Sequence, residues 1–180
     1  LGLVMDVNTG EVLASVSLPD FDPNRLSSLD SDTQLNQVVG GRYELGSMFK
    51  LITSAIAIET GMANETTRFD ATRPLRVHGH RIADYRGENR WLSMREVLIH
   101  SSNIGAAKMA ELISAPVMKR YYGSFGLLAK SQIELKESSN PITPQRWQDI
   151  QAMTASFGHG ISVTPIQFAA AIGALANGGV

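Results

Sequence analysis

The chain has 180 residues, 43% of them hydrophobic, which is enough to bury the core of one domain. A formal net charge of −1 gives no electrostatic pull towards nucleic acid or an anionic membrane, and the absence of cysteine excludes disulfides and thiolate metal sites. The longest apolar stretch, Phe168 to Ala176, is far short of a membrane span, and no signal peptide is visible.

In chain order, Leu1 to Met5 and Glu11 to Val16 are predicted to be two short strands. They are joined by Asp6-Val7-Asn8-Thr9-Gly10, a turn rich in residues that tolerate positive φ. Pro19 to Gly41 is a polar, turn-rich passage expected to wrap the surface. A helix follows, with apolar positions Met48, Leu51, Ile52, Ala55 and Ile56 at helical spacing and Gly61 as its stop. On this reading Ser47, Lys50 and Ser54 lie on the opposite, narrower stripe. Glu65 to Trp91 is mixed and basic, with short extended pieces and a turn at Tyr85-Arg86-Gly87-Glu88-Asn89. Ser93-Met94-Arg95-Glu96 fits a capping box for a short helix to about His100. A small-residue helix is expected from Ile104 to about Ser114, a loop from Leu128 to Arg146, and a helix from Trp147 to Ser156. Phe157-Gly158-His159-Gly160 breaks that helix, and Thr164-Pro165 caps the last one. The chain opens directly on a strand and stops at Gly178-Gly179-Val180 after a helix, so both ends read as cut.

The chemistry centres on Ser47-Met48-Phe49-Lys50. A helix start favours developing negative charge, and a lysine one turn on can serve the serine as base. With seventeen serines and five lysines present, a single Ser-x-x-Lys match is close to chance, and a helix cap followed by a solvated lysine is the ordinary alternative. The second element, Ser101-Ser102-Asn103, lies between two predicted helices at a separation that allows the two to meet. Lys50 can act only when neutral. Moving its pKa from about 10.4 to near 7 takes roughly 4–5 kcal/mol, within the reach of burial, which shifts a lysine by up to about 3–5 units. Ser101 can relay a proton, and Asn103 can hold Lys50 through its carbonyl while offering an amide N–H to a substrate carbonyl. Taken alone, Ser101-Ser102-Asn103 also reads as an ordinary helix cap.

Other residues invite chemistry and receive plainer readings. His159 sits in a turn before the next helix; His78 and His80 belong to a solvated strand without further ligands, so no metal site is expected. Asp84 and Glu88 fit a surface loop, and Arg86, Arg90 and Arg95 are too interspersed with acids to argue for nucleic acid.

With these residues in view, the chain resembles the penicillin-binding transpeptidases that crosslink bacterial peptidoglycan, whose superfamily carries Ser-x-x-Lys and related second and third motifs. Met5 to Ala14 looks like the hairpin that opens the transpeptidase domain, and Ser17 to Asn24 like the passage after it. Asp84 to Leu92, His100 to Gly105, Ser156 to Gly160 and Val163 to Gln167 are similar to class B enzymes of the cell-division type. Residues 1–180 are thus expected to be part of a penicillin-binding transpeptidase domain of the serine β-lactamase-like fold, α/β in the α+β sense. It would be a helix-rich fragment with an N-terminal β-hairpin, lacking the C-terminal sheet strands.

The resemblance implies that Ser47 attacks the penultimate D-alanine carbonyl of a stem peptide, releasing terminal D-alanine, and that an amine from a neighbouring stem peptide resolves the acyl-enzyme. β-Lactams would acylate the same serine. Lys50 would be the base, Ser101 the proton relay and Asn103 the substrate-positioning and lysine-orienting group, with no metal or organic cofactor. It also implies a periplasmic domain anchored in the inner membrane, the anchor lying outside these residues, and working with a glycan polymerase and other division proteins. The third motif, Lys-Thr/Ser-Gly, does not occur, so the chain alone is expected to be catalytically crippled and to expose sheet edges. A serine β-lactamase, a penicillin sensor or an inactive scaffold are the alternatives.

Overall fold

The computed structural model describes residues 1–22, 24–25 and 34–179. The passage predicted to wrap the surface falls partly outside them. Two compact units divide the chain: Leu1–Tyr43 with Gly123–Ile142 and Ser162–Val180, and Glu44–Tyr122 with Thr143–Ile161.

In the first unit, β1 (Gly2–Met5) and β2 (Val12–Val16) pair antiparallel as a two-stranded sheet. The turn between them closes as its composition predicts. Asp6 Oδ1 accepts from the Asn8 and Thr9 backbone N–H groups at 2.7 and 3.0 Å, and Gly10 takes φ +75°. Leu3 and Met5 of β1 pack against Val38, Val39 and Ile166, whereas β2 is exposed throughout. Among the described residues β1 and β2 make up the whole of this sheet. Helix α6 (Pro165–Ala176) begins as predicted, with Thr164 as N-cap, a first-turn proline and a capping box closed by Gln167.

The second unit is built around a small-residue helix. The elements before it are α1 (Phe49–Glu59), β3 (Arg68–Asp70), β4 (Leu75–Val77), β5 (His80–Ile82), β6 (Trp91–Ser93) and α2 (Met94–Ile99). α3 (Asn103–Ile113) comes next, followed by α4 (Ala115–Ser124) and, later in the chain, α5 (Asp149–Ala155). The strands form two antiparallel pairs, β3 with β6 and β4 with β5. α3 buries Ile104, Gly105, Ala106, Ala107, Met109, Ala110 and Ile113, packing against α1 and α5. Gly105 allows the contact with α2: a Cβ there would lie 2.3 Å from Val97 Cγ2. The Ser93–Glu96 capping box forms as the sequence indicates.

Two sequence expectations need correction. α1 buries Phe49, Lys50, Ile52, Thr53, Ser54, Ile56 and Ala57, while Met48 and Leu51 are 50% and 47% exposed. The helix is apolar around most of its circumference, so the apolar period alone does not fix which face turns inward. Partners for the polar groups do: Thr53 Oγ1 donates to the Ser156 carbonyl at 3.0 Å, and Ser54 Oγ lies 3.8 Å from Met109 Sδ. α4 was not anticipated at all. Its signals were present in Pro116 near the first turn and in Ala115, Met118 and Tyr122, which it buries at i, i+3, i+7. Tyr122 packs on Phe49 and edge-on to Trp147, with ring centroids 5.8 and 5.5 Å apart.

Candidate active site

A single 3-10 turn, Gly46–Met48, leads into α1 and carries Ser47. Ser47 is exposed, whereas Lys50, one turn further on, is 1% exposed. Ser101 occupies the corner between α2 and α3 in the left-handed region, φ +52°, a conformation a non-glycine residue adopts only at a cost of order 1–3 kcal/mol. That corner turns both the carbonyl and the hydroxyl of Ser101 onto the lysine. Lys50 Nζ donates to Ser101 O at 2.6 Å, to Ser101 Oγ at 2.9 Å and to Ser47 Oγ at 3.0 Å, and Ser101 Oγ donates to Ser47 Oγ at 2.8 Å. Two hydroxyls and an amine thus form a closed triangle, with the Ser47 side open to solvent.

Burial pulls the Lys50 pKa down to about 8, against an opposing upward pull from the Asp84 carboxylate.

The two readings of Ser101-Ser102-Asn103 divide between neighbours. Ser102 is the ordinary cap: its Oγ accepts from Gly105 N at 2.9 Å and donates to Asp84 Oδ2 at 2.8 Å. Ser101 is the residue turned towards Lys50 and Ser47. The expected hold of Asn103 on Lys50 is not the contact formed. Ser101's carbonyl takes that place, and Asn103 Nδ2 donates to Ala83 O at 3.2 Å.

Asp84 is half-buried at the N-terminus of α3, where its Oδ1 also accepts from Ile104 N at 3.0 Å. The surface-loop reading holds for exposed Glu88, which lies 3.7 Å from Arg90 and 3.4 Å from His100, but not for Asp84. His159 is exposed in the turn after α5 and pairs with Glu44 Oε2 at 2.9 Å, while Gly160 N donates to Glu44 Oε1 at 2.9 Å. Gly158, φ +75°, sits so close to Gly46 that a Cβ would lie 2.3 Å from the Gly46 carbonyl oxygen. The Gly-x-Gly turn therefore lies directly against the backbone that presents Ser47. Among the described residues no group of three His, Asp or Glu side chains is placed to hold a metal, and no helix is long and apolar enough to cross a membrane.

The family model of the penicillin-binding protein transpeptidase domain matches residues 1–180. The chain is 40% identical over 179 residues to the probable peptidoglycan D,D-transpeptidase FtsI of Caulobacter vibrioides. It is 33% identical over 180 residues to the peptidoglycan D,D-transpeptidase FtsI of Escherichia coli K12. Each match covers 99% of this chain and 30% of the relative. The transpeptidase domain of Burkholderia pseudomallei penicillin-binding protein 3 superposes with a TM-score of 0.83 at 28% identity, covering 97% of this chain and 49% of that one. The chain belongs to the penicillin-binding protein transpeptidase family, and within it is similar to the class B division enzymes. It spans about a third of the length of the curated relatives it matches.

Proposed function

We propose that this chain carries the acylation centre of a peptidoglycan D,D-transpeptidase, with Ser47 as nucleophile, Lys50 as its base and Ser101 as proton relay. The closed Ser47–Lys50–Ser101 triangle around a buried lysine carries this reading. Neutral Lys50 takes the Ser47 proton as Oγ attacks the carbonyl carbon of the penultimate D-alanine, and the carbonyl π pair moves onto oxygen. Collapse of that intermediate expels terminal D-alanine, whose nitrogen takes a proton through Ser101. An amine of a second stem peptide resolves the acyl-enzyme, and a β-lactam stops at the acyl stage. Asn103 lies beside Ser101 on the first turn of α3 and serves as the substrate-positioning group. The setting is septal wall synthesis on the periplasmic side of the bacterial inner membrane, alongside a glycan polymerase and division proteins. The division-type relatives support that setting.

The backbone N–H of Ser47 is one oxyanion donor, and a Lys-Thr/Ser-Gly strand, absent from residues 1–180, is the source of the second. Removing one such donor costs about 10²–10³ in rate. The test is intact-mass measurement after incubation with a labelled penicillin, on the 180-residue chain, on a form carried on through that strand, and on Ser47→Ala of each. The expected result is a Ser47-dependent adduct on the extended form, forming about 10²–10³ more slowly on the shorter one. Absence of an adduct on both would remove Ser47 from catalysis; rapid hydrolysis of the adduct would make the protein a β-lactamase instead.

A further inference from the structure

Immediately after β5, Ala83 and Asp84 hold three consecutive residues of the corner that begins α3. Ala83 O accepts from Asn103 Nδ2 at 3.2 Å, Asp84 Oδ2 from Ser102 Oγ at 2.8 Å, and Asp84 Oδ1 from Ile104 N at 3.0 Å. The preceding residue is Ser101, whose strained backbone aims its carbonyl at Lys50. A serine cap alone would satisfy one N–H of α3, and Ser102 does so through Gly105. The carboxylate adds a charged acceptor for a second N–H and fixes the Ser102 hydroxyl as its donor. Every atom in hydrogen-bond contact with Lys50 Nζ is neutral.

The remaining charged groups on neighbouring elements are engaged elsewhere or solvated. On α2, Glu96 pairs with Arg90 at 2.7 Å and Arg95 is exposed. On α3, Lys108 pairs with Asp70 at 3.8 Å and Glu111 is exposed. Glu44 and His159 pair with each other, and the Tyr122 phenol donates to Ala155 O at 2.9 Å. The Asp84 carboxylate pulls the Lys50 pKa upward, against the effect of burial.

We propose that Asp84 is a positioning residue of the acylation centre: it holds the Ser101–Asn103 corner against Lys50 and supplies the countercharge for the ammonium formed there. When Oγ of Ser47 loses its proton, the O–H bond breaks, an N–H bond forms on Lys50, and a positive charge appears in a buried site. A fixed carboxylate nearby stabilises that charge as it develops, with no reorganisation of solvent. The same carboxylate raises the proton affinity of Lys50 in the resting site, opposing the desolvation that makes the lysine a base. The inference rests on the acyl-transfer reading given above.

The test is the pH profile of Ser47 acylation by a penicillin, in the form that is acylated in the experiment above. Asp84→Asn keeps an acceptor for Ile104 N but removes the charge. Its ascending limb is expected to move to lower pH, with the plateau rate down about tenfold. Asp84→Glu keeps the charge and displaces the corner. Its limb is expected to stay in place while the rate falls, which keeps the proposal testable if Asp84→Asn does not fold. Ser102→Ala is expected to lower thermal stability without moving the limb. An Asp84→Asn limb coincident with wild type, or an Asp84→Glu rate equal to wild type, overturns the proposal and leaves Asp84 a plain helix cap. If neither form of the wild type is acylated, the acyl-transfer reading falls and this proposal with it.

Discussion

Gly158→Ala tests whether the turn after α5 positions Ser47, the proposed nucleophile. Gly158 has φ +75°, and a methyl there would stand 2.3 Å from Gly46 O, 2.6 Å from Gly46 N and 2.8 Å from Gly46 Cα, where ordinary contact begins at 3.4 Å. All three are backbone atoms, so no side chain can swing aside; the two segments must part by about 1 Å. The left-handed conformation costs alanine about 1–2 kcal/mol, and the forced separation about 1–3 kcal/mol more. Gly46 is joined directly to Ser47, so the same displacement loosens the 3.0 Å contact with Lys50. A misplacement of about 1 Å can cost about 10²-fold in rate. Gly160→Ala is the control, because Gly160 has φ +77° but its added Cβ would meet nothing nearer than Thr154 Oγ1 at 3.7 Å. Urea unfolding should place Gly158→Ala about 1–3 kcal/mol below Gly160→Ala, and fluorescent-penicillin labelling should be about 10²-fold slower in Gly158→Ala. Equal stability of the two variants, or unchanged labelling in Gly158→Ala, would refute the clamp.

Gly105→Ala should lower stability by about 1–3 kcal/mol despite the better helix propensity of alanine, because its Cβ meets Val97 Cγ2 at 2.3 Å. Adding Val97→Ala should recover part of the loss in thermal melts, and a Gly105→Ala protein more stable than wild type would contradict the packing. The Glu96 carboxyl is held down to about 2, first by the Ser93 backbone N–H and then by Arg90. Its contribution is present above about pH 4.3 and fades as pH falls towards 2, so the gap in Tm between wild type and Glu96→Gln should close across that window. Lys50 has the opposite sign. The unfolded chain keeps the proton to about pH 10.4 and the folded chain gives it up near 8, so burial of the ammonium costs stability below pH 8. That cost, on the order of 3 kcal/mol, should disappear between about pH 8 and 10.4. Lys50→Met should therefore gain on wild type in unfolding free energy at pH 7 and lose that gain at pH 10; a gap independent of pH would contradict a buried, proton-releasing lysine.

What the sequence made legible was local. The Asp6–Gly10 turn, the Ser93–Glu96 box and the Thr164–Pro165 start each close within a few residues, so their chemistry is written in adjacent letters. Ser47 and Lys50 were legible for the same reason, being one turn apart, and Ser101 through its motif. The inward face of α1 was not, because apolar residues surround most of that helix and the decisive contacts are with Ser156 and Met109, many residues away. Asp84 was hidden likewise: it sits in a polar turn sequence, while its partners lie 18 and 20 residues further on. Asn103 was identified as a site residue, but its bond to Ala83 depends on where β5 ends.

The left-handed backbone positions around Ser47 bear on the proposed site independently of the motif. Gly46 at φ +57°, Ser101 at φ +52° and Gly158 at φ +75° all lie in the left-handed region. They belong to the turn that carries Ser47, the corner that reaches Lys50 and the turn seated on Gly46. Two of the three are glycine, which takes that conformation without steric cost; Ser101 is not, and it is the one whose hydroxyl the proposed proton relay requires. Had the corner been selected for folding alone, glycine at position 101 would relieve the strain and leave the carbonyl contact with Lys50 intact, losing only the hydroxyl. The strain retained at Ser101 stands beside a buried lysine that itself costs stability, at the point where the proposed nucleophile, base and relay meet.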